Sequence, residues 1–145
     1  MFKHLLLPAD GSDNAQRAIE KALGLAQAFH SRVTAIYVVD PYAFTSVGAD
    51  FAYSQAEYLS AAADEAKAAL EQARDAFTAA GIPVDTALVE AHSIHKGILA
   101  KAKEVGADLI VMGSHGKRGL EKLVLGSVTS QVLSHAHLPV LVVRD

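Results

Sequence analysis

Short apolar segments alternate with longer segments of helical periodicity along the whole chain, and this alternation restricts the possible folds more than any other feature. Apolar runs of roughly four to eight residues that end at polar or turn residues are typical of strands buried on both faces of a parallel sheet. The alternation therefore predicts a three-layer α/β architecture, in which helices cover a parallel sheet. Five runs are interpreted as strands: Leu5 to Ala9, Val33 to Val39, Val84 to Val89, Asp108 to Met112 and Pro139 to Val143.

The segments between these runs have apolar residues at intervals of three and four, which indicates helices that pack one face on the sheet. Ser12 is suited to cap the first helix. Ser54 and Glu57 have the spacing of a capping box, which predicts a long helix beginning there, after a loop from Tyr42 to Tyr53. The residues expected on buried helix faces are Ala15, Ala18, Ile19, Ala22, Ala26, Phe29, Tyr58, Ala62, Ala69, Ala73, Phe77, Ala80, Ile94, Ile98, Ala102 and Val105.

Composition narrows the range of functions. The 145 residues are expected to form one domain, 1–145, and the formal net charge of −3 gives no general attraction to nucleic acid or anionic lipid. The absence of cysteine excludes disulfides and thiolate nucleophiles. Since no segment has the roughly 20 apolar residues of a membrane span, and the N-terminal apolar run is too short for a secretion signal, we expect a cytoplasmic protein without membrane insertion.

A glycine-rich segment directly follows the fourth predicted strand. It runs from Gly113 through Gly116, and Gly126 with Ser127 then precedes a helix predicted over Val128 to Ala136. A loop between a strand and a helix can direct several backbone N–H groups and the helix N-terminus at one phosphate. Glycines can also adopt a positive φ, so we expect these three to let the backbone curl close to an anion.

The segment differs from two common nucleotide motifs. Lys117 is followed by Arg118 where a Walker A motif has Ser or Thr, and no G-x-G-x-x-G spacing occurs. Asp10 follows the first strand, and it would face the glycine segment across a crevice if the first and fourth strands are neighbours. The carboxylates of Asp10, Asp40 and Glu90 offer at most an indirect, water-mediated contact to Mg²⁺.

The spacing Gly113-x2-Gly116-x9-Gly126-Ser127 resembles that of the ATP-binding branch of the universal stress protein family. Four blocks have the same resemblance, so that it extends over the whole chain. They are Leu7-Pro8-Ala9-Asp10-Gly11-Ser12, Tyr37-Val38-Val39-Asp40 and His137-Leu138-Pro139-Val140-Leu141-Val142-Val143-Arg144, together with Ala107 to Gly113 before the spacing itself. One departure is Ala91, which stands after the third strand where the family often has glycine.

This resemblance implies an open five-stranded parallel sheet of order 3-2-1-4-5 with two helices on each face, Rossmann-like and similar to the adenine nucleotide alpha hydrolases. It also implies ATP as the ligand, with Mg²⁺ as a possible companion. Adenine contacts are implied near Ala9, Asp10 and Val38, with Pro8 in the same wall and Met112 lining the pocket. Ribose and phosphate contacts are implied for Gly113, Gly116 and Gly126, and hydroxyl or amide contacts to phosphate for Ser127, Val128 and Thr129.

The resemblance further implies an antiparallel homodimer through the last strand, 140–143, whose exposed edge has no feature that prevents pairing. The function expected first is a nucleotide-dependent regulatory module with slow hydrolysis at most, because no general base is evident and no catalytic residue is assigned. Two alternatives stay open: a nucleotide-hydrolysing or nucleotidyl-transfer enzyme, and a ligand-free module that regulates a transporter or a kinase. Histidines His92, His95, His135 and His137 lack a third ligand at metal-binding spacing, so no metal site is predicted.

Overall fold

The computed structural model of the protein describes residues 1–41, 49–116 and 125–144. Its strands all pair in parallel in the order β3-β2-β1-β4-β5, which confirms the expected fold class and strand order. The strands are β1 (His4–Pro8), β2 (Arg32–Val39), β3 (Val84–Glu90), β4 (Leu109–Gly113) and β5 (Val140–Val143). The helices are α1 (Asp13–Phe29), α2 (Ala49–Ala79), α3 (Ile94–Val105) and α4 (Ser127–His135).

Two apolar cores lie on opposite faces of the sheet. Because neighbouring residues of a strand point to opposite faces, Leu5 and Leu7 of β1 enter the core under α1 and α2, whereas Leu6 enters the core under α3 and α4. All three side chains are fully buried. A central strand with both faces covered accounts for the continuous apolar run in the sequence, and the two helices expected on each face are confirmed.

Helix α1 begins at the edge of the sheet where β1 ends. The Oγ of Ser12 accepts a hydrogen bond from the N–H of Ala15 at 3.1 Å, which confirms the predicted cap. The helix ends at His30, whose φ of 54° is left-handed and whose N–H donates to the carbonyl of Ala26. The small residues of its buried face bring α1 close to the sheet: Ala15, Ala18, Ile19, Ala22 and Ala26.

Two expectations about the helices are wrong. Helix α2 begins at Ala49, so Ser54 lies inside the helix and the predicted loop does not extend to Tyr53. The capping-box spacing was misleading because Ser and Glu three residues apart also fit a helix interior. Ile94 is 40% exposed although its periodicity matches the buried Ile98, because it belongs to the first turn of α3, at the margin of the sheet.

Part of the segment predicted as a loop from Tyr42 to Tyr53 cannot be compared in this way. Residues 42–48 and the side chains of residues 49–55 lie outside the described residues, and only the backbone of α2 is placed there. Among the described helices, none combines the length and the apolar composition needed to cross a bilayer.

Candidate functional site

The candidate site lies where the winding of the sheet reverses, between β1 and β4. These two strands are neighbours, with Leu5 opposite Leu109 and Leu6 opposite Ile110. After β1 the chain enters α1 on one face, and after β4 it continues toward α4 on the other. The two segments therefore diverge at the carboxyl ends of the strands, which is where open α/β sheets hold their ligands. The adjacency of the first and fourth strands required for a crevice is confirmed.

One wall of the crevice is the end of β1. Pro8 is half-buried and lies opposite Ile36 in β2, and the N–H of Ala9 donates to the carbonyl of Ile36 at 2.8 Å. Asp10 follows in the turn to α1, where its Oδ1 accepts from the N–H of Ser12 at 2.9 Å. The backbone of this wall is thus held by the sheet, and the carboxylate of Asp10 is held by the turn.

The other wall is the glycine loop, residues 113–116. A Cβ on Gly116 would lie 2.5 Å from Oδ2 of Asp10, which is too close for any side chain unless the carboxylate moves. Asp10 therefore lies directly against the glycine loop, and the predicted juxtaposition of the two walls is confirmed. Lys117 and Arg118, which follow this loop in the sequence, lie outside the described residues.

The reason for glycine in this loop differs from the expectation. Gly113, Gly116 and Gly126 all lack a positive φ. Among the glycines that the structure describes, the positive values belong to Gly11, at 79°, and to Gly81 and Gly106 after the ends of α2 and α3. Close approach is what requires glycine here: a Cβ on Gly126 would lie 3.1 Å from Cα of His115, and one on Gly113 would overlap a buried side chain. The expectation was wrong because glycine is required both for a positive φ and for close packing, and the sequence shows the same residue in both cases.

The buried side chain beside Gly113 is Asn14, which sequence reasoning missed. It is 1% exposed, and its Oδ1 accepts from the N–H of His115 at 3.0 Å while its Nδ2 donates to the carbonyl of Val143 at 3.3 Å. Asn14 precedes Ala18 by four residues, and Ala18 lies on the buried face of α1. The sequence did contain a signal for Asn14: a polar residue lies on the face of α1 that is otherwise apolar. A buried amide needs hydrogen-bond partners, so this position indicates a contact with another part of the chain.

The second half of the site is the start of α4. The N–H of Gly126 donates to the carbonyl of Ser114 at 2.8 Å, and Gly126 precedes the helix without a side chain that could cap it. The first N–H groups of a helix have no partner within that helix and carry a partial positive charge, which favours an anion. Ser127 is exposed at the first helical position, and Val128 packs on the α3 and α4 core.

Thr129 has a structural contact where the resemblance implied a phosphate contact. The residue is 2% exposed, and its Oγ1 donates to the carbonyl of Gly113 at 2.9 Å. This hydrogen bond ties the first turn of α4 to the end of β4, so the hydroxyl helps to hold the loop in place. The backbone N–H of Thr129 remains in the first turn of the helix.

Val38 and Met112 each lie one residue before the end of their strands. Both side chains belong to the core under α3 and α4, where Met112 is 5% exposed and Val38 is half-buried. The Cγ1 of Val38 would lie 3.0 Å from a Cβ on Gly97 of α3. These two residues therefore border the crevice from the α3 side of the sheet.

One ionisable side chain of β2, Tyr37, has a shifted pKa. Burial, followed by the neighbouring Glu65, raises the pKa of Tyr37 to about 12, and the phenol donates to Glu65 Oε2 at 3.3 Å. Tyr37 is therefore a neutral hydrogen-bond donor at neutral pH. Among the described residues, no group of three His, Asp or Glu side chains is arranged to hold a metal ion.

The fold and the site together define a class of protein: a doubly wound α/β protein whose glycine loop and helix N-terminus meet at the switch point of a parallel sheet. The family model described as the universal stress protein family matches residues 1–144. The chain belongs to the universal stress protein family.

Individual relatives match over nearly the whole chain. A universal stress protein of Methanocaldococcus jannaschii is 36% identical over 144 residues, which cover 99% of this chain and 83% of that protein. The solved structure of universal stress protein UspA from Lactobacillus plantarum is 32% identical with a TM-score of 0.85, covering 99% of this chain and 98% of that one. A universal stress protein solved in complex with cAMP is 26% identical with a TM-score of 0.72, covering 98% and 97%.

Proposed function

We propose that the crevice binds an adenine nucleotide, ATP with Mg²⁺ as its companion cation, and that the protein is a cytoplasmic, nucleotide-dependent regulatory module of the stress response. The observation that carries this proposal is the contact between the Asp10 turn and the glycine loop, directly beside the uncapped start of α4. A family member in complex with cAMP supports an adenine nucleotide as the class of ligand.

The proposed ligand is oriented by the two walls. Phosphate groups suit the space between Gly116 and the first turn of α4 that follows Gly126, because the first N–H groups of a helix have no partner within it and the helix dipole favours negative charge. Adenosine suits the opposite wall next to Ala9, where the half-buried Val38 offers apolar surface and Asp10 offers a carboxylate acceptor for a hydroxyl or amino group. The carboxylate must shift from its contact with Gly116 if the nucleotide passes between them.

A regulatory role fits these groups better than catalysis does. A hydrolase needs a base that orients an attacking water. The Asp10 carboxylate instead accepts from the Ser12 N–H and lies against the loop, and Tyr37 is a neutral phenol. We therefore expect slow hydrolysis at most. A true enzyme would show turnover well above background that Asp10→Asn abolishes while nucleotide binding persists.

Two measurements test the proposed ligand. The purified protein is denatured, and released small molecules are identified by mass spectrometry; ATP is then titrated into ligand-free protein by calorimetry. We expect wild-type binding to be lost or at least about tenfold weaker in the double variant Gly116→Val with Ser127→Ala, since a Cβ at Gly116 displaces Asp10 and the loop.

The matched control for this variant is Gly24→Ala, a glycine of α1 with no atom within 4 Å of a new Cβ, which should bind as the wild type does. No heat with wild type, or equal affinity in the double variant, would refute the nucleotide proposal. In that case the alternative hypothesis, a ligand-free module that regulates a transporter or a kinase, would be favoured.

The proposal includes a homodimer formed by β5. This strand is at the edge of the sheet, where it pairs with β4 on one side, and Leu141 is 38% exposed. An edge strand presents unpaired backbone groups, which a second copy of the same strand can satisfy in antiparallel orientation. Because the carbonyl of Val143 at the end of β5 accepts from Asn14 beside the glycine loop, the proposed nucleotide would lie close to the proposed dimer edge.

A further inference from the structure

We propose that Asn14 is the positioning residue of the nucleotide site, and that it sets the conformation of the glycine loop without touching the ligand. This inference rests on the proposed function, because it concerns how that same site is held ready to bind. Asn14 is 1% exposed and lies behind the loop, so a ligand in the crevice contacts the loop and not the amide.

The amide of Asn14 joins segments that are far apart in the sequence. Its oxygen accepts from the N–H of His115, 101 positions away, and its nitrogen donates to the carbonyl of Val143, 129 positions away. Both partners are backbone groups of fixed polarity, so only one orientation of the amide satisfies them. The side chain therefore fixes the distance between the glycine loop and the end of β5.

Neighbouring hydrogen bonds make the loop depend on this amide. The carbonyl of Val143 also accepts from the N–H of Ser114 at 2.9 Å, and the carbonyl of Ser114 accepts from the N–H of Gly126 at 2.8 Å. The amide is thus connected, through Ser114, to the residue that starts α4. A displaced loop would misplace the N–H groups on both sides of the proposed phosphate position.

The chemistry of the side chain provides a selective test. Aspartate has nearly the shape of asparagine, but its ionised carboxylate can only accept, so Asn14→Asp keeps the bond from His115 and opposes the carbonyl of Val143. A protonated carboxyl regains one donor. Burial and a facing carbonyl both favour the protonated form of an introduced carboxyl. The defect of Asn14→Asp should therefore diminish as pH falls, whereas the defect of Asn14→Ala should not.

The experiment measures ATP affinity by calorimetry at pH 8.0 and pH 5.5 for wild type, Asn14→Asp and Asn14→Ala. Each variant's Kd is divided by the wild-type Kd at the same pH, which removes the titration of ATP itself. We expect both variants to bind about tenfold more weakly at pH 8.0, and Asn14→Asp alone to recover at least about threefold at pH 5.5. Ile19→Val, a buried change in α1 away from the loop, is the control for lost stability and should keep wild-type affinity.

Hydrogen exchange of the His115 amide provides a readout that does not need the nucleotide. Its exchange should be at least about tenfold faster in Asn14→Ala than in wild type or Ile19→Val, since the accepting oxygen is gone. If wild type binds no ATP, the proposed function fails, and the exchange measurement still decides whether Asn14 positions the loop. Unchanged exchange, unchanged affinity in Asn14→Ala, or equal recovery of both variants at low pH would overturn the inference.

Discussion

The side-chain oxygen of Asn14 lies so close to Gly113 that this glycine has no room for a Cβ. A Cβ built on Gly113 would lie 2.2 Å from Oδ1 of Asn14. A methyl group on Gly113 would therefore displace the amide that accepts from His115 and donates to Val143. The glycine at the end of β4 and the asparagine at the start of α1 are consequently a matched pair. This relationship explains a glycine in the loop without any appeal to unusual backbone angles.

The close approach of Asn14 and Gly113 predicts strong coupling between their effects on the free energy of unfolding in a double-mutant cycle. Gly113→Ala should lower the free energy of unfolding by about 1–3 kcal/mol in wild type, because it overfills the site and breaks buried hydrogen bonds. In the Asn14→Ala background the same change should cost less by at least about 0.5 kcal/mol, since the added methyl group then has space. Urea unfolding of the four proteins measures this difference.

The control cycle combines Asn14→Ala with Gly24→Ala, which is on the same helix but has open space around it. Those two effects should add within about 0.5 kcal/mol, as for independent sites. Additivity of Asn14 with Gly113 as well would contradict the predicted steric relationship.

Two helical glycines should respond in opposite directions to alanine. Gly24→Ala should stabilise the protein by about 0.5–1 kcal/mol through helix propensity. Gly97→Ala should destabilise it despite the same gain, because the new Cβ would lie 2.9 Å from Cβ of Ala91 and 3.0 Å from Cγ1 of Val38. Thermal unfolding of both variants measures the signs, and stabilisation by both would contradict the tight packing of α3.

Ala91, which follows β3, accounts for part of that clash. Adding Ala91→Gly to Gly97→Ala should therefore recover some of the lost stability. The side chains of Ala91 and Val38 thus occupy the space beside Gly97 and leave no room there for a Cβ.

His4 should make folding stability depend on pH. Burial, and then the Arg32 guanidinium, lowers the pKa of His4 below its usual value, although Asp108 acts in the opposite direction. The unfolded chain then binds more protons than the native protein, so stability falls as pH decreases through about 6.5 toward the lower folded pKa. Above that window the neutral ring hydrogen-bonds with Thr34 Oγ1 at 2.7 Å.

The corresponding test is urea unfolding of wild type and His4→Gln at pH 7.5 and pH 5.5. Glutamine keeps a hydrogen-bonding side chain but does not titrate in this range, so the variant should lose less stability than wild type between the two pH values. His30→Asn, a change at the exposed C-cap of α1 that tolerates the left-handed backbone, should keep the wild-type dependence. Equal losses in wild type and His4→Gln would show that His4 is not responsible.

The edge strand predicts a shift in assembly. If the proposed homodimer forms through β5, Leu141→Lys should lower the mass measured by light scattering from dimer toward monomer, because paired β5 strands would bring like charges together. Leu133→Lys on α4 is the control: that leucine is 42% exposed and lies outside β5, so its replacement should leave the mass unchanged. A dimeric Leu141→Lys protein with unaltered circular dichroism would place the interface elsewhere.

Patterns in the sequence were sufficient to predict which segments form strands and which form helices. The five strands, the cap at Ser12 and the turn after the fourth strand follow from hydrophobic periodicity and turn residues, which are local properties of the chain. The juxtaposition of Asp10 with the glycine loop also followed once the first and fourth strands were taken as neighbours. The start of α2 did not follow, because a capping-box spacing fits a helix interior equally well.

The contacts of the polar side chains at the site, in contrast, depend on the tertiary structure. Asn14 looks like an ordinary polar residue of a first helical turn, and Thr129 looks like a phosphate ligand, until His115, Val143 and Gly113 are brought against them. These contacts join positions that are far apart in sequence, and strand order and packing create them. Periodicity can tell which face of an element is buried, but it cannot tell which distant backbone group a buried polar side chain will meet.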